Sequence, residues 1–153
     1  MSQNGARDRT VAASAPVRPH LRAARAVGRW QVRSPADLPL LRRAVLAAEL
    51  RTGAGAREAS LDHSRLALVA TELATNALKY ASGPCVAGIS RAAGGWLLEV
   101  IDSSPESPPV RCPPEPGRPG GNGLLIIEQL SSRWGWYRAT DGVHKHVWAE
   151  LAD

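Results

Sequence analysis

The chain has few cysteines and no long apolar segment. Its two cysteines, Cys85 and Cys112, lie far apart in the sequence and form no Cys-x-x-Cys pair. No run of about 18 apolar residues is present, so no membrane contact is expected. Residues 1–19 also lack the apolar stretch of a secretory signal. These absences favour a protein of the reducing cytoplasm, with a Cys85–Cys112 disulfide as the disfavoured alternative.

The net charge of +5 is concentrated near the N-terminus. Residues 1–33 carry seven arginines and one acid, whereas residues 34–153 carry twelve basic and thirteen acidic side chains. We therefore predict an Arg-rich, disordered leader over residues 1–19. Binding of this leader to nucleic acid is an alternative. It is disfavoured, because no aromatic residue precedes Trp30 to stack on bases.

The pattern over residues 20–153 predicts one domain. Strands are expected at 21–32, 85–91, 96–102, 135–140 and 143–151, and helices at 34–53, 60–81 and 124–132. Turns are expected at 93–95 and 141–142, where glycines occur. This order of elements predicts an α+β fold, a two-layer α/β sandwich whose antiparallel or mixed sheet has its helices on one face.

A proline-rich segment interrupts the second half of the chain. Residues 103–119 hold seven of the twelve prolines. Proline removes a backbone donor and fixes φ, so neither a helix nor an inner strand tolerates this density. A loop of this length in a compact domain is often a lid or a binding loop. We therefore predict a lid over residues 103–120.

The predicted helix 60–81 carries three polar side chains on one stripe beside its apolar face. At about 100° per residue, Glu72, Asn76 and Lys79 lie within roughly 60° of one another. The Asn76 carbonyl oxygen suits a hard cation such as magnesium. Glu72 could hold a water or accept a proton from an attacking hydroxyl. The alternative is that this stripe is the wet side of an amphipathic helix.

Asp102 ends a strand whose alternate residues are apolar. Trp96, Leu98 and Val100 share its face, so the carboxylate follows three core-facing side chains. A buried carboxylate needs a partner, which the exocyclic amine of adenine would supply. The alternative is that the strand has ended and Asp102 begins a turn with Ser103 and Ser104.

Glycines precede the last predicted helix. Gly121 and Gly123 allow the backbone to approach a ligand closely, and a helix N-terminus offers free N–H groups that suit phosphates. No Gly-Lys-Ser/Thr follows, so the segment differs from the phosphate-loop signature. A flexible helix entry is the alternative.

Taken together, these motifs resemble the ATP-binding domains of the GHKL superfamily. Glu72-x-x-x-Asn76 resembles the N box, Asp102-Ser-Ser resembles the G1 box, and Gly121-x-Gly123-Leu124 resembles the G2 box. The wider strings at 69–77, 123–130 and 147–151 are similar to the anti-sigma-factor serine kinase branch, especially its actinobacterial members. The resemblance covers about residues 20–151.

The resemblance implies a Bergerat-type sandwich that holds Mg-ATP under the lid. Asn76 would bind magnesium, Glu72 would act as the base or orient a water, and Asp102 would bind the adenine amine. Gly121 and Gly123 would let the lid and helix approach the phosphates. The remaining nucleotide-binding positions implied are Lys79, Ser104 and Leu124. The chain departs from the usual Asp-x-Gly of the G1 box, since Ser104 and Glu106 stand where glycines are common.

The resemblance also implies an activity and partners. Members of this branch phosphorylate a serine on a small antagonist protein and alternately sequester a sigma factor, often as a homodimer. The implied function is an ATP-dependent protein serine/threonine kinase that regulates transcription. No histidine acceptor domain precedes the core, so a complete sensor histidine kinase is not expected. The alternatives are a non-catalytic ATP-binding switch that sequesters a protein partner and a relative that keeps only the fold.

Overall fold

The computed structural model describes residues 11–12, 16–21, 25–53, 64–111 and 123–153. Seven strands and three helices lie in these ranges. The strands are β1 (Val11–Ala12), β2 (Arg25–Val32), β3 (Cys85–Ala92), β4 (Gly95–Asp102), β5 (Val110–Arg111), β6 (Arg133–Arg138) and β7 (Lys145–Ala152). The helices are α1 (Leu38–Arg51), α2 (Arg65–Tyr80) and α3 (Gly123–Leu130).

Five of the strands form one sheet in the order β2-β3-β4-β7-β6. All four pairings between neighbours are antiparallel, so the sheet is antiparallel rather than mixed. Two of these pairings, β3–β4 and β6–β7, are hairpins, whose strands are necessarily antiparallel. Their turns lie where the glycine pattern predicted them, with φ of +82° at Gly94 and +72° at Gly142. The predicted α+β sandwich is confirmed.

The helices begin and end at residues whose side chains favour those positions. A 3-10 turn at Pro35–Asp37 leads into α1, and the Arg33 N–H donates to Asp37 Oδ2 at 2.8 Å. Gly53 follows α1 with φ of +72°. At the start of α2, the Ser64 hydroxyl accepts the Ala67 N–H at 3.0 Å and donates to Glu49 Oε2 at 2.6 Å, which ties α2 to α1. The predicted earlier start of this helix, at residue 60, lies outside the described residues.

One face of the sheet packs against the helices and forms the core. The inward face of α2 is rich in alanine, which allows the helix to lie close to β4, β3 and β7. Leu73, Ile89, Leu98 and Ile127 are fully buried there. Each such side chain contributes roughly 1.5–3 kcal/mol through removal from water. The core therefore fixes α2, and with it the polar stripe at its border.

The opposite face of the sheet is partly covered by the segment 16–21. The Val17 N–H donates to the Trp136 carbonyl at 2.8 Å, and Trp148 Nε1 donates to the Val17 carbonyl at 2.7 Å. Glu150 Oε1 accepts the backbone N–H groups of His20 at 2.5 Å and Leu21 at 3.2 Å.

This packing differs from the predicted disordered leader over residues 1–19 with a domain starting at 20. Residues 16–19 lie against the sheet, because the buried Trp148 indole and Glu150 carboxylate take backbone partners from residues 16–21. Residues 1–10 and 13–15 lie outside the described residues. None of the helices in the described ranges has the length and apolar character needed to span a bilayer.

Candidate functional site

The polar stripe of α2 faces the first residue of α3. Glu72 and Asn76 are half-buried, whereas Lys79 is exposed. A Cβ atom placed on Gly123 would lie 2.8 Å from Glu72 Oε2 and 3.4 Å from Asn76 Oδ1. The absence of a side chain at Gly123 therefore leaves the space that these two polar groups occupy. Three of the residues predicted for the site, Glu72, Asn76 and Gly123, meet at the N-terminus of α3.

Glu72 has an altered acidity at this place. Burial raises the pKa of its carboxyl group above the ordinary value, and the nearby Lys79 ammonium partly opposes that shift. A carboxylate whose pKa moves towards neutrality is better matched to accept and release a proton. The α3 N-terminus beside it supplies free N–H groups and about half a positive charge. This end of the site combines a proton acceptor with an anion-binding helix end.

A small cavity lies on the other side of Asn76. It has a volume of about 30 Å³ and is lined by Asn76, Asp102, Lys145 and the lid residues Ser107–Pro109, among others. A cavity of this size holds one or two water molecules. Asn76 therefore borders both this cavity and Gly123.

Asp102 has protein partners on both carboxylate oxygens. Oδ1 accepts the Ser104 N–H at 2.9 Å, and Oδ2 lies 3.4 Å from the Lys145 ammonium. The side chains of Asp102 and Lys145 are 2% and 5% exposed. The same ammonium donates to the carbonyl of Ser107 in the lid. Both sequence interpretations therefore describe part of Asp102: it begins a turn, and it is a buried carboxylate with a specific partner.

The other predicted site residues have different surroundings. Ser104 Oγ accepts the Ser82 N–H at 3.0 Å, which joins the start of the lid to the end of α2. The Leu124 side chain is buried in the core, so only its backbone borders the helix end. Gly121 lies outside the described residues, as does the lid beyond Arg111 up to residue 120.

The described part of the lid is held from two sides. On the outer side, Arg138 Nε donates to the Pro105 carbonyl at 3.0 Å and its guanidinium pairs with Glu106 at 3.1 Å. On the inner side, Lys145 contacts Ser107. The lid residues Ser107–Pro109 therefore close the cavity that Asp102 lines.

Lys145 is a site residue that the sequence interpretation missed. In β7 it shares its face with Val147, Ala149 and Leu151, and it lies directly opposite Asp102 in the β4–β7 register. A lysine on a face of apolar residues is the same anomaly that singled out Asp102. Strand alternation applied to β7 would have found it.

The residues around Asn76 can hold a cation only with help from a ligand. No cluster of three or more His, Cys, Asp or Glu side chains occurs within the described residues. Magnesium does not require such a cage, since it is often bound by one or two protein oxygens together with phosphates and waters. The half-buried Asn76 amide beside the α3 N-terminus fits that pattern.

The antiparallel sheet has its helices on one face, and the polar stripe of α2 borders both Gly123 and the cavity under the lid, an arrangement that fits an ATPase-type α/β sandwich. The sequence profile of the histidine kinase-like ATPase domain family matches residues 32–150. The chain therefore belongs to this family and is a GHKL-type ATPase domain. A comparison with curated proteins finds no match.

Proposed function

We propose that this chain is a cytoplasmic, ATP-dependent protein serine/threonine kinase that acts as an anti-sigma-factor-type regulator of transcription. The observation that supports it best is the position of Asn76. This residue lines the Asp102 cavity on one side and approaches Gly123, beside Glu72, on the other. This position supports a site in which Asn76 lies between a base-binding group, Asp102, and a phosphate-binding group, the N-terminus of α3.

In this proposal ATP enters with its adenine at Asp102 and its phosphates at the N-terminus of α3. The Asp102 carboxylate accepts the exocyclic amine, and the α3 N–H groups bind phosphate oxygens. Asn76 holds magnesium, which when bound neutralises charge on the phosphates. Lys79 is exposed on the same stripe and adds positive charge to this end.

The transfer step assigns the base to Glu72. Its carboxylate accepts the proton of a serine hydroxyl while that oxygen bonds to the γ-phosphorus and ADP leaves with the bridging oxygen. The raised pKa of Glu72 supports this role, because the group is matched to hold the proton briefly. The serine belongs to a small antagonist protein, a sigma factor is the alternative partner, and the kinase is proposed to act as a homodimer.

Thermal unfolding with and without Mg-ATP tests the base-binding end. Ligand at a hundred times its Kd stabilises the native state by about 2.7 kcal/mol, a shift of several degrees for a chain of this size. We expect this shift in the wild type and its loss in Asp102→Asn. Glu106→Gln, an exposed lid carboxylate paired with Arg138, is the matched control and should keep the shift. No shift in the wild type at millimolar Mg-ATP would contradict ATP binding.

A second candidate is a non-catalytic switch in which nucleotide binding changes a protein-binding surface. The observation in its favour is the pairing of β1 with β5, which joins the N-terminal segment to the lid. Glu72→Gln separates the two candidates. A kinase loses phosphate transfer to purified antagonist proteins but keeps the Mg-ATP thermal shift. If the chain is a switch, Glu72→Gln keeps the nucleotide-dependent binding of its partner. In that case the wild type also transfers no phosphate.

Binding of nucleic acid through the leader receives little support. Arg18, the leader arginine in the described residues, lies over the Tyr137 ring at 4.5 Å and is thus engaged within the chain. DNA affinity measured across salt concentrations tests this idea, because phosphate contacts give a steep salt slope. We expect weak binding that residues 1–15 account for entirely.

A further inference from the structure

Lys145 places a hydrogen-bond donor beside the Asp102 carboxylate, the acceptor proposed to bind the base. Its ammonium lies 3.4 Å from Asp102 Oδ2, and both groups line the same cavity. An ammonium has three N–H donors. Among the described residues, two of its directions are used, towards Asp102 and towards the Ser107 carbonyl.

The Ser107 carbonyl is the second acceptor of the Lys145 ammonium. It belongs to the lid, it is an uncharged acceptor, and it approaches Lys145 inside the cavity. The cavity volume of about 30 Å³ is far below that of a purine, so a base can enter only when the lid residues Ser107–Pro109 move. Their movement takes the Ser107 carbonyl away from Lys145. A buried ammonium then needs a replacement acceptor.

Adenine supplies that acceptor next to the group that Asp102 binds. The edge of the base opposite the sugar carries the exocyclic amine, a donor, beside the ring nitrogen N1, an acceptor. Asp102 is held in place by the Ser104 N–H at the end of β4, so the order of acceptor and donor in the pocket is fixed. Guanine carries the opposite order at this edge, with an acceptor oxygen beside an N1–H donor.

We propose that Lys145 is a second base-binding residue, which donates to adenine N1 while Asp102 accepts the amine. When the base enters, the Lys145 ammonium loses its hydrogen bond to the Ser107 carbonyl of the lid and donates to N1 instead. Binding of the base and release of the lid therefore occur together. The proposal rests on the proposed binding of ATP. It makes Lys145 a specificity-determining residue that selects adenine against guanine.

Base analogues test the contact directly. Affinities of the Mg complexes of ATP, 1-deaza-ATP, 3-deaza-ATP and GTP are measured by calorimetry for the wild type, Lys145→Met and Arg138→Met. In the wild type we expect 1-deaza-ATP and GTP to bind at least about tenfold more weakly than ATP, and 3-deaza-ATP within about threefold. In Lys145→Met the difference between ATP and 1-deaza-ATP should fall below about threefold.

Arg138→Met is the matched control. Arg138 also donates to a lid carbonyl, that of Pro105, but its side chain is about half exposed on the outer side of the lid. We expect amide hydrogen exchange in residues 103–109 of the nucleotide-free chain to accelerate in both variants. Only Lys145→Met should lose the discrimination at N1.

Several outcomes overturn the proposal. Equal affinity of the wild type for ATP and 1-deaza-ATP excludes a contact with N1, and this arm requires no variant that could fail to fold. If Lys145→Met still binds ATP more tightly than 1-deaza-ATP, another group donates to N1. If amide hydrogen exchange in residues 103–109 is the same in nucleotide-free Lys145→Met as in the wild type, Lys145 does not hold the lid. The proposed change of its hydrogen-bond partner is then excluded. Failure of the wild type to bind ATP itself is a separate result and contradicts the proposed function.

Discussion

Strands β4 and β7 carry buried polar side chains on both faces of the sheet, and the two faces satisfy them differently. On the helix-covered face, Asp102 and Lys145 pair directly across the strands and are almost fully buried. On the opposite face, Glu99 accepts the Tyr137 hydroxyl at 3.2 Å and lies 3.5 Å from His146 Nδ1. Glu99 and His146 remain 28% and 19% exposed.

The two arrangements respond to different changes. Asp102 and Lys145 line the cavity that the lid residues Ser107–Pro109 also line, so their surroundings depend on the position of the lid. The polar groups of the opposite face contact residues 16–21 instead, with Arg18 over the Tyr137 ring and Glu150 bound by backbone N–H groups. The buried pair thus depends on the lid, whereas the polar groups of the opposite face depend on the N-terminal segment.

The largest expected effect comes from breaking the buried pair. Lys145→Met leaves the Asp102 carboxylate with the Ser104 N–H as its remaining described partner. Removing one member of a buried ion pair typically costs about 3–5 kcal/mol. We expect a loss of that size in the free energy of unfolding, measured by urea denaturation. Asp102→Asn combined with Lys145→Met should recover most of it, because no unpaired charge remains.

The same measurement on an exposed ion pair provides the reference for this loss. Arg91 and Asp153 form an exposed pair, and such pairs contribute about 0–1 kcal/mol. Arg91→Met should therefore have a small effect. If Lys145→Met is as mild as Arg91→Met, the Asp102–Lys145 pair is solvated and the distinction between the two faces is lost.

Much of the helix-covered face could be predicted from sequence, because its signals are local. The periodicity of α2 and the glycine turns of both hairpins predicted these elements to within a few residues. The packing of residues 16–19 could not be predicted in this way. Trp148, which donates to Val17, lies 131 residues further along the chain, and no local pattern indicates which segment will satisfy its indole N–H.

Individual residues of the site could be predicted from the sequence, but the contacts that bring them together could not. Burial of Asp102 followed from strand alternation, and the structure places it at 2% exposure. The Asp102–Lys145 pair depends on the register of β4 against β7, and the approach of Gly123 to Glu72 depends on how α3 packs on α2. Both contacts are tertiary features, and in the sequence only the resemblance to a family indicates them.

A smaller effect is expected where the N-terminal segment meets the sheet. Trp148→Phe removes the indole N–H that donates to the Val17 carbonyl, and it leaves a small space in a fully buried site. We expect a loss of about 1–3 kcal/mol in unfolding free energy, with faster amide exchange in residues 16–21. Trp134→Phe, on the helix-covered face, is the control. Equal exchange in both variants would show that the indole does not hold the segment.

The smallest expected effect is a pH dependence that comes from the partly exposed Glu99 on the opposite face. The contact with His146 lowers the pKa of Glu99, burial opposes this shift, and Tyr137 and Arg29 add to the lowering. The unfolded chain therefore binds a proton at Glu99 at higher pH than the folded chain does. The resulting stability is present at neutral pH and is lost as the pH falls below the ordinary glutamate value of about 4.3.

Glu99→Gln removes this contribution, so its unfolding free energy should decline less steeply than that of the wild type as the pH falls from about 5 to about 3, by less than about 1 kcal/mol. Glu106→Gln, an exposed carboxylate, is the control and should follow the wild-type curve more closely. Urea denaturation across pH measures both. If Glu99→Gln and the wild type decline in parallel, the acid response lies elsewhere, and the contacts of Glu99 with His146 and Tyr137 do not stabilise the fold at neutral pH.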